Sequence, residues 1–478
     1  MTSKNRLIPL ASLICVCIFL TLLAIRIGCF EKPIDIPTDI PPIAEKEQWF
    51  TIYQNNQKIG YSHRVLDIME DGYHYFDLTF IRIKAFEMIQ DMKITSNGDL
   101  RTDLSLSKFR FELQSNKFRY NIIGTIEDNK LEFYINDEKN VIELESPIYL
   151  PMSVVEAAFS IQSLTKDNKQ QFLIFDPITM QNQPVTVSLG GNEILSIMGK
   201  NIMTTKVKVD YSNLSQVSWV SSDGLVVKEK APMGLMLVQV TEQDALEKIN
   251  QENIQDIGSS FSIPSNLMID NPETIQSVQY EITGISNKLS VNGSRQTLIG
   301  NQLIINKETL SEILTPPTEN TIPFLKPSKF IQSDHPKIID QVNQIISHND
   351  SPQLKIQKLL KWIYDHIKKQ PVMSVPNALE TLTNKMGDCN EHAVLMAAFA
   401  RAAGIPSQIE TGLVYLNGRF YYHAWNVVFI GQWITVDSTL NQMPADVFHI
   451  RLVRGNMRAQ IDIMSIIGKL ELKIIHCR

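Results

Sequence analysis

The sequence predicts an α+β protein: a β-rich antiparallel part, then a C-terminal domain mixing helices and strands, with an N-terminal transmembrane helix ahead of both. Three observations predict it. An apolar run near the N-terminus is long enough to cross a bilayer. Short alternating segments separated by turn residues begin at Gln48. Beyond Asp334 the apolar spacing becomes helical, and an alanine-rich helix leads into a hairpin.

At the N-terminus, Lys4 and Arg6 precede apolar residues from Leu7 to Ile25. A span needs about 20 such residues. Pro9 falls in the first turn, where a helix accepts it. No small-x-small cleavage site follows, and Arg26 spoils the weak lipoprotein-like Gly28-Cys29 pair, so an uncleaved signal anchor over 7–27 is favoured over a removed peptide. The basic residues keep the tail, 1–6, in the cytoplasm. The body then lies outside the membrane, in the periplasm for a Gram-negative cell. Pro33, Pro37, Pro41 and Pro42 make 28–46 a stiff spacer.

Residues 47–250 read as a β-rich domain. Asn55-Asn56 and Asp223-Gly224 each sit between strand-like runs and predict hairpins. One short helix is expected within 151–164 and another within 242–251. His63 and His74 have no acid or cysteine cluster beside them and read as strand-face residues. After a polar linker, 264–333 hold further strand-like runs and are expected to form a second, small β-domain. The helical part, 334–478, opens with Ile338, Val342 and Ile345 at helical spacing, then Ile356, Leu359, Leu360 and Ile363.

Gly387-Asp388 marks a turn, and the run Ala393 to Ala403 is made of strong helix formers, closed by Gly404 and Pro406. Cys389 thus falls in a first helical turn, where unpaired N–H groups favour a thiolate and lower the thiol pKa. A free cysteine packed as a small hydrophobe is the plain alternative; the polar neighbours Asp388, Asn390, Glu391 and His392 argue against it. Downstream, Arg419 to Ile430 and Gln432 to Asp437 read as a hairpin around Gly431. A loop centred on Ile430 sets His423 directly opposite Asp437, within hydrogen-bonding reach. That is the base and orienter half of a Cys-His-Asp triad.

These stretches, Gly387-Asp388-Cys389-Asn390-Glu391-His392-Ala393, Arg401 to Pro406, His423-Ala424-Trp425 and Trp433 to Thr439, resemble the bacterial transglutaminase-like superfamily in the same order. Asn441 to Ile450 looks similar to a membrane-anchored subgroup. The resemblance implies a papain-like core with Cys389 as nucleophile, His423 as base and Asp437 as orienter. It further implies attack on an amide or ester of a protein or peptide through a thioester, resolved by hydrolysis or transfer. Many members carry Glu where Val427 stands, which bears on substrate detail and not on the triad.

Composition excludes other classes. A formal net charge of −6 does not suit nucleic acid, and no P-loop, dinucleotide fingerprint or paired CxxC pattern is present, so no cofactor or metal is expected. The other cysteines, Cys15, Cys17, Cys29 and Cys477, make no disulfide framework. Two rivals are weaker: a metal held by Cys389, Asp388, His392 and His423, which lack zinc spacing, and a catalytically inactive scaffold of the cell envelope.

Overall fold

The computed structural model describes residues 43–478 apart from 86–87, 116–117, 136–137, 152, 162–168, 212–213, 251–253, 257–261, 286–288, 311–319, 373, 456–462 and 464–465. The expected tail, membrane anchor and most of the proline-rich spacer lie outside the described residues. Among those described, no helix is long and apolar enough to cross a membrane.

The expected β-rich part is one 15-stranded sheet between Lys46 and Tyr149 and between Lys169 and Val240. It consists of two antiparallel meanders joined where Lys46–Gln54 pairs with Leu235–Val240; a single parallel pairing joins Ile148–Tyr149 to Lys169–Asp176. The local turn chemistry works as the sequence reads. Asn55 and Asn56 both take positive φ, 49° and 63°, the pair a two-residue hairpin needs, and Gln54 faces Gln57. Gly224, at φ 80°, turns the chain between Val220 and Val226.

The sheet curls until its arms meet. Phe175 from the second meander packs against Phe109 and Phe133 of the first, each at 5.3 Å between ring centres. Helix α1, Ser153–Ile161, sits in the resulting core through Val154, Val155, Ala157 and Ala158. A charge is enclosed there as well. Arg64 donates from Nε to Asp77 at 2.8 Å and forks onto Glu229 at 2.9 and 3.1 Å. An enclosed guanidinium survives only with such partners.

Helix α2, Glu242–Leu246, capped by Thr241, ends this part. Among the described residues, four further α-helices follow, α3 (Pro336–Ile345), α4 (Pro352–His366), α5 (Ala378–Asn384) and α6 (Cys389–Ala402). Ser351 and Asn377 cap α4 and α5 through side-chain oxygens, as their residue types favour. Helix α6 is buried without a break from Glu391 to Ala400. It has no solvent face because α3, α4 and α5 cover it on one side and Ile409, Ala424 and Val428 of a sheet on the other.

That sheet runs Ile263–Pro264, Arg419–Phe429, Ser407–Leu416, His449–Arg454, with Trp433–Val436 also on Arg419–Phe429. Its second face packs Leu413, Tyr415, Phe420, Ile450 and Leu452 against a four-stranded sheet built from Ser277–Thr283, Gln296–Ile299, Gln302–Asn306 and Glu471–Cys477. The expected separate β-domain over 264–333 therefore takes a different form. Its strands share a core with the C-terminal part and take their last partner from it. Arg295 and Glu308 reinforce the union: Arg295 donates to the carbonyls of Ala445 and His449, and Glu308 accepts from Thr435.

Candidate active site

Asp388 caps α6. Its Oδ1 accepts the Asn390 N–H at 2.8 Å, and Glu391 reaches back to the Asp388 N–H at 3.0 Å, a capping box. Gly387 makes the return possible, since a Cβ there would lie 2.3 Å from Glu391 Cβ. Ser374 donates to the other Glu391 oxygen at 2.5 Å. His392 donates from Nδ1 to the Asp388 carbonyl at 2.7 Å, while its buried Nε2 has no hydrogen-bond partner among the described residues. Asn390, Glu391 and His392 thus build the start of the helix.

Cys389, the first residue of α6, keeps some exposed surface. Its thiol nonetheless departs from the expected lowering. Burial pushes it well above its ordinary value and Asp388 adds to this; the Ala424 backbone N–H opposes them, and Glu391 and Asp437 push it up further. The helix start does not deliver its usual benefit for a physical reason. The cap that orders it places carboxylates beside the sulfur, and the Asn390 N–H is already spent on Asp388.

His423 and Asp437 meet, by a register the sequence did not predict. The hairpin centres on Gly431: Phe429 pairs with Trp433 and Asn426 with Val436. The strand ends at Val436, so Asp437 lies just beyond it and diagonal to His423, not directly opposite. A shift of two residues keeps the face unchanged. His423 Nε2 lies 2.7 Å from Asp437 Oδ2, both residues buried. The loop after the strand completes the carboxylate, with Thr439 and Leu440 donating backbone N–H groups to Oδ1 at 2.7 and 3.0 Å. Two bonds tie α6 to this hairpin: Asn426 Nδ2 to the Ala393 carbonyl at 2.9 Å and Ser438 Oγ to the His392 carbonyl at 3.3 Å. These bonds hold the start of the helix, and Cys389 with it, against the hairpin that carries His423.

One residue of the cluster was not singled out from the sequence. His449 is wholly buried, with Nε2 3.0 Å from Asp437 Oδ2 and Nδ1 3.0 Å from Asp446 Oδ1. The Asp446-x-x-His449 spacing was the only available sign of it. Burial disfavours a charged ring, yet Asp446 and Asp437 outweigh it and raise His449 to about 9. Burial likewise opposes ionised Asp437 and Asp446. His423 and His449 overcome it at Asp437, which falls far below the carboxylate range, and His449 holds Asp446 down to about 2. His423, Asp437 and His449 offer ligand atoms within 4.8 Å of one another. Hydrogen bonds within the cluster already use the facing atoms. The cation set considered from sequence, Cys389 with Asp388, His392 and His423, is not the one the fold gathers.

Trp425 packs beside both imidazoles, stacked on His423 at 6.1 Å and edge-on to His449 at 5.2 Å. Its indole N–H donates to buried Glu410 at 2.9 Å, and Arg451 and Arg454 neutralise that carboxylate. Trp425 is thus a fixed part of the core.

No curated protein matches the chain. Among solved structures, a beta-barrel-like protein of a domain of unknown function from Brucella abortus is similar at 13% identity over 42% of this chain and 98% of its own, with a TM-score of 0.35. A candidate cysteine protease from Cytophaga hutchinsonii matches at 19% identity over 42% and 86%, TM-score 0.27. A candidate protease from Parabacteroides distasonis matches at 9% over 67% and 63%, TM-score 0.20. These scores are too low to bear on chemistry. The family comparison is specific: residues 339–438, which hold Cys389, His423 and Asp437, match the transglutaminase-like superfamily. Within the C-terminal part, the transglutaminase-like match is to these residues, 339–438.

Proposed function

We propose that this protein is a cysteine enzyme that acts on amide or ester bonds of a protein or peptide, with Cys389 as nucleophile, His423 as base and Asp437 as orienter. The buried 2.7 Å contact of His423 with Asp437, on a hairpin hydrogen-bonded to the helix that begins at Cys389, carries the reading. Asp437 occupies Nε2, which leaves Nδ1 of His423 to take the sulfur's proton. Because burial favours the protonated thiol, that transfer accompanies attack instead of preceding it. The sulfur bonds the carbonyl carbon, and the carbonyl electron pair moves to oxygen. As the tetrahedral species collapses, His423 returns the proton to the leaving nitrogen or oxygen and the thioester remains. Water then gives hydrolysis, and an amine gives transfer. The Leu7 to Ile25 run supports an anchor in a bacterial inner membrane with this domain on the periplasmic side.

A catalytically silent scaffold is favoured by one observation, the raised thiol. The two readings separate by experiment. Cys389→Ala abolishes turnover of peptide amides or esters while near-UV circular dichroism stays native; full turnover in that variant refutes the nucleophile. Iodoacetamide labelling, read peptide by peptide, discriminates as well. In the enzyme, His423→Ala slows alkylation of Cys389 and leaves Cys477 unchanged; in the scaffold, neither cysteine responds.

A further inference from the structure

We infer that His449 is a positioning residue of this site, a buried imidazolium that shares the Asp437 carboxylate with His423 and is itself held by Asp446. The inference rests on the reading of Cys389, His423 and Asp437 as one functional set.

Hydrogen-bond accounting leads to it. Both His449 ring nitrogens face carboxylate oxygens at 3.0 Å. Asp437 already accepts from Thr439, Leu440 and His423, and Asp446 from Phe448 and Gln442. Carboxylates so fully supplied with donors are ionised, so each must accept from the ring, and a ring that donates from both nitrogens is charged. The remaining surroundings agree. Arg295, paired with Glu308, binds the His449 carbonyl and not the ring. Arg451, two residues along the strand, is engaged by Glu410. Tyr280 donates to the Val447 carbonyl. No other cation among the described residues hydrogen-bonds Asp437 or Asp446.

The consequence for the site is electrostatic and geometric. Two imidazoles converge on one oxygen, Asp437 Oδ2, with ring centres 5.9 Å apart. Below about pH 9, a positive charge on the far ring fixes that oxygen. It also offsets negative charge that would otherwise oppose ionisation of the sulfur, since Asp437 is among the groups pushing the thiol up. A neutral residue at 449 leaves that opposition unbalanced.

The test uses full-length protein and iodoacetamide as the probe. In His449→Gln, which retains a donor but carries no charge, Cys389 alkylation near neutral pH, where the wild-type ring is charged, falls roughly tenfold, and the deficit shrinks as the pH passes about 9 and the wild-type ring loses its proton. A merely structural role would give a deficit that does not depend on pH. Independently, nitrogen-15 histidine spectra of Cys389→Ala show one ring protonated on both nitrogens well above the ordinary histidine range, and Asp446→Asn brings that titration down by at least about one unit. A His449 ring that titrates in the ordinary range overturns the inference, whether or not His449→Gln folds. Alkylation that responds to His423→Ala but not to His449→Gln overturns it while leaving the proposed function standing. Alkylation indifferent to both removes the two together.

Discussion

Raising the pH from about 6.5 to about 9 is expected to cost the folded protein about 3 kcal/mol through His449 alone. The ring starts from an ordinary value of 6.5 and is raised to about 9 in the fold. Between those values the folded chain binds one proton more than the unfolded chain. Unfolding free energy therefore falls with pH by about 1.4 kcal/mol per unit. The stabilisation is complete below about pH 6.5 and gone above about pH 9. His449 is 0% exposed, so solvent screening does not reduce it. Cys389 acts with the same sign at higher pH, because its folded thiol is raised above the model-compound value of 9.0. Guanidinium unfolding of the full chain, followed by near-UV circular dichroism across this range, measures the total for wild type and His449→Gln. In a Cys389→Ala background, which removes the thiol, the difference between the pH slopes with and without His449→Gln isolates the imidazole. Equal slopes would refute a paired, charged ring at 449.

Other expectations follow from the same contacts. Asp437→Asn removes the shared carboxylate and is expected to lower turnover by about a thousandfold or more, less completely than Cys389→Ala; wild-type rates would mean His423 needs no orienter. Arg64→Met leaves Asp77 and Glu229 enclosed without their cation, and the large sheet loses about 3–5 kcal/mol in urea unfolding while Cys389 alkylation stays at its wild-type rate. Gly412→Ala places a Cβ 1.9 Å from the Ile450 carbonyl oxygen, forcing apart the strands that carry the site; a loss of at least about 2 kcal/mol is expected, and a thermal midpoint equal to wild type would show that the sheet yields freely.

Much of the site was legible because its signals are local. Asp388 before a helix-forming run, Asn377 before α5 and Gly404, at φ 79° after α6, are read from neighbours in sequence and function as read. Alternation likewise placed His423 and Asp437 on one face. It could not set their register, because a turn centred on Gly431 instead of Ile430 displaces the pairing without changing which side chains share a face. The thiol was misjudged for a different reason. Helix starts favour thiolates in general, but the effect depends on which groups take the first N–H donors and on how deeply the sulfur is enclosed, and both depend on tertiary packing. His449 became visible only in three dimensions, since its partner Asp437 comes from another element. The expected division at 264–333 differs from the fold because Ser277–Thr283 completes its pairing with a segment much later in the chain.

That late partner has a bearing on biogenesis. A hydrogen bond from Asn266 to Ile474 spans 208 residues, and the Glu471–Cys477 strand covers an edge of Ser277–Thr283. During translation this edge stays bare while the intervening segments, including the whole nucleophile helix and both histidine strands, are being made. A nascent chain thus passes through a stage in which every proposed reactive group has been synthesised but the sheet that buttresses them is unfinished. The helix and the two strands would lack that buttress until the closing strand docks.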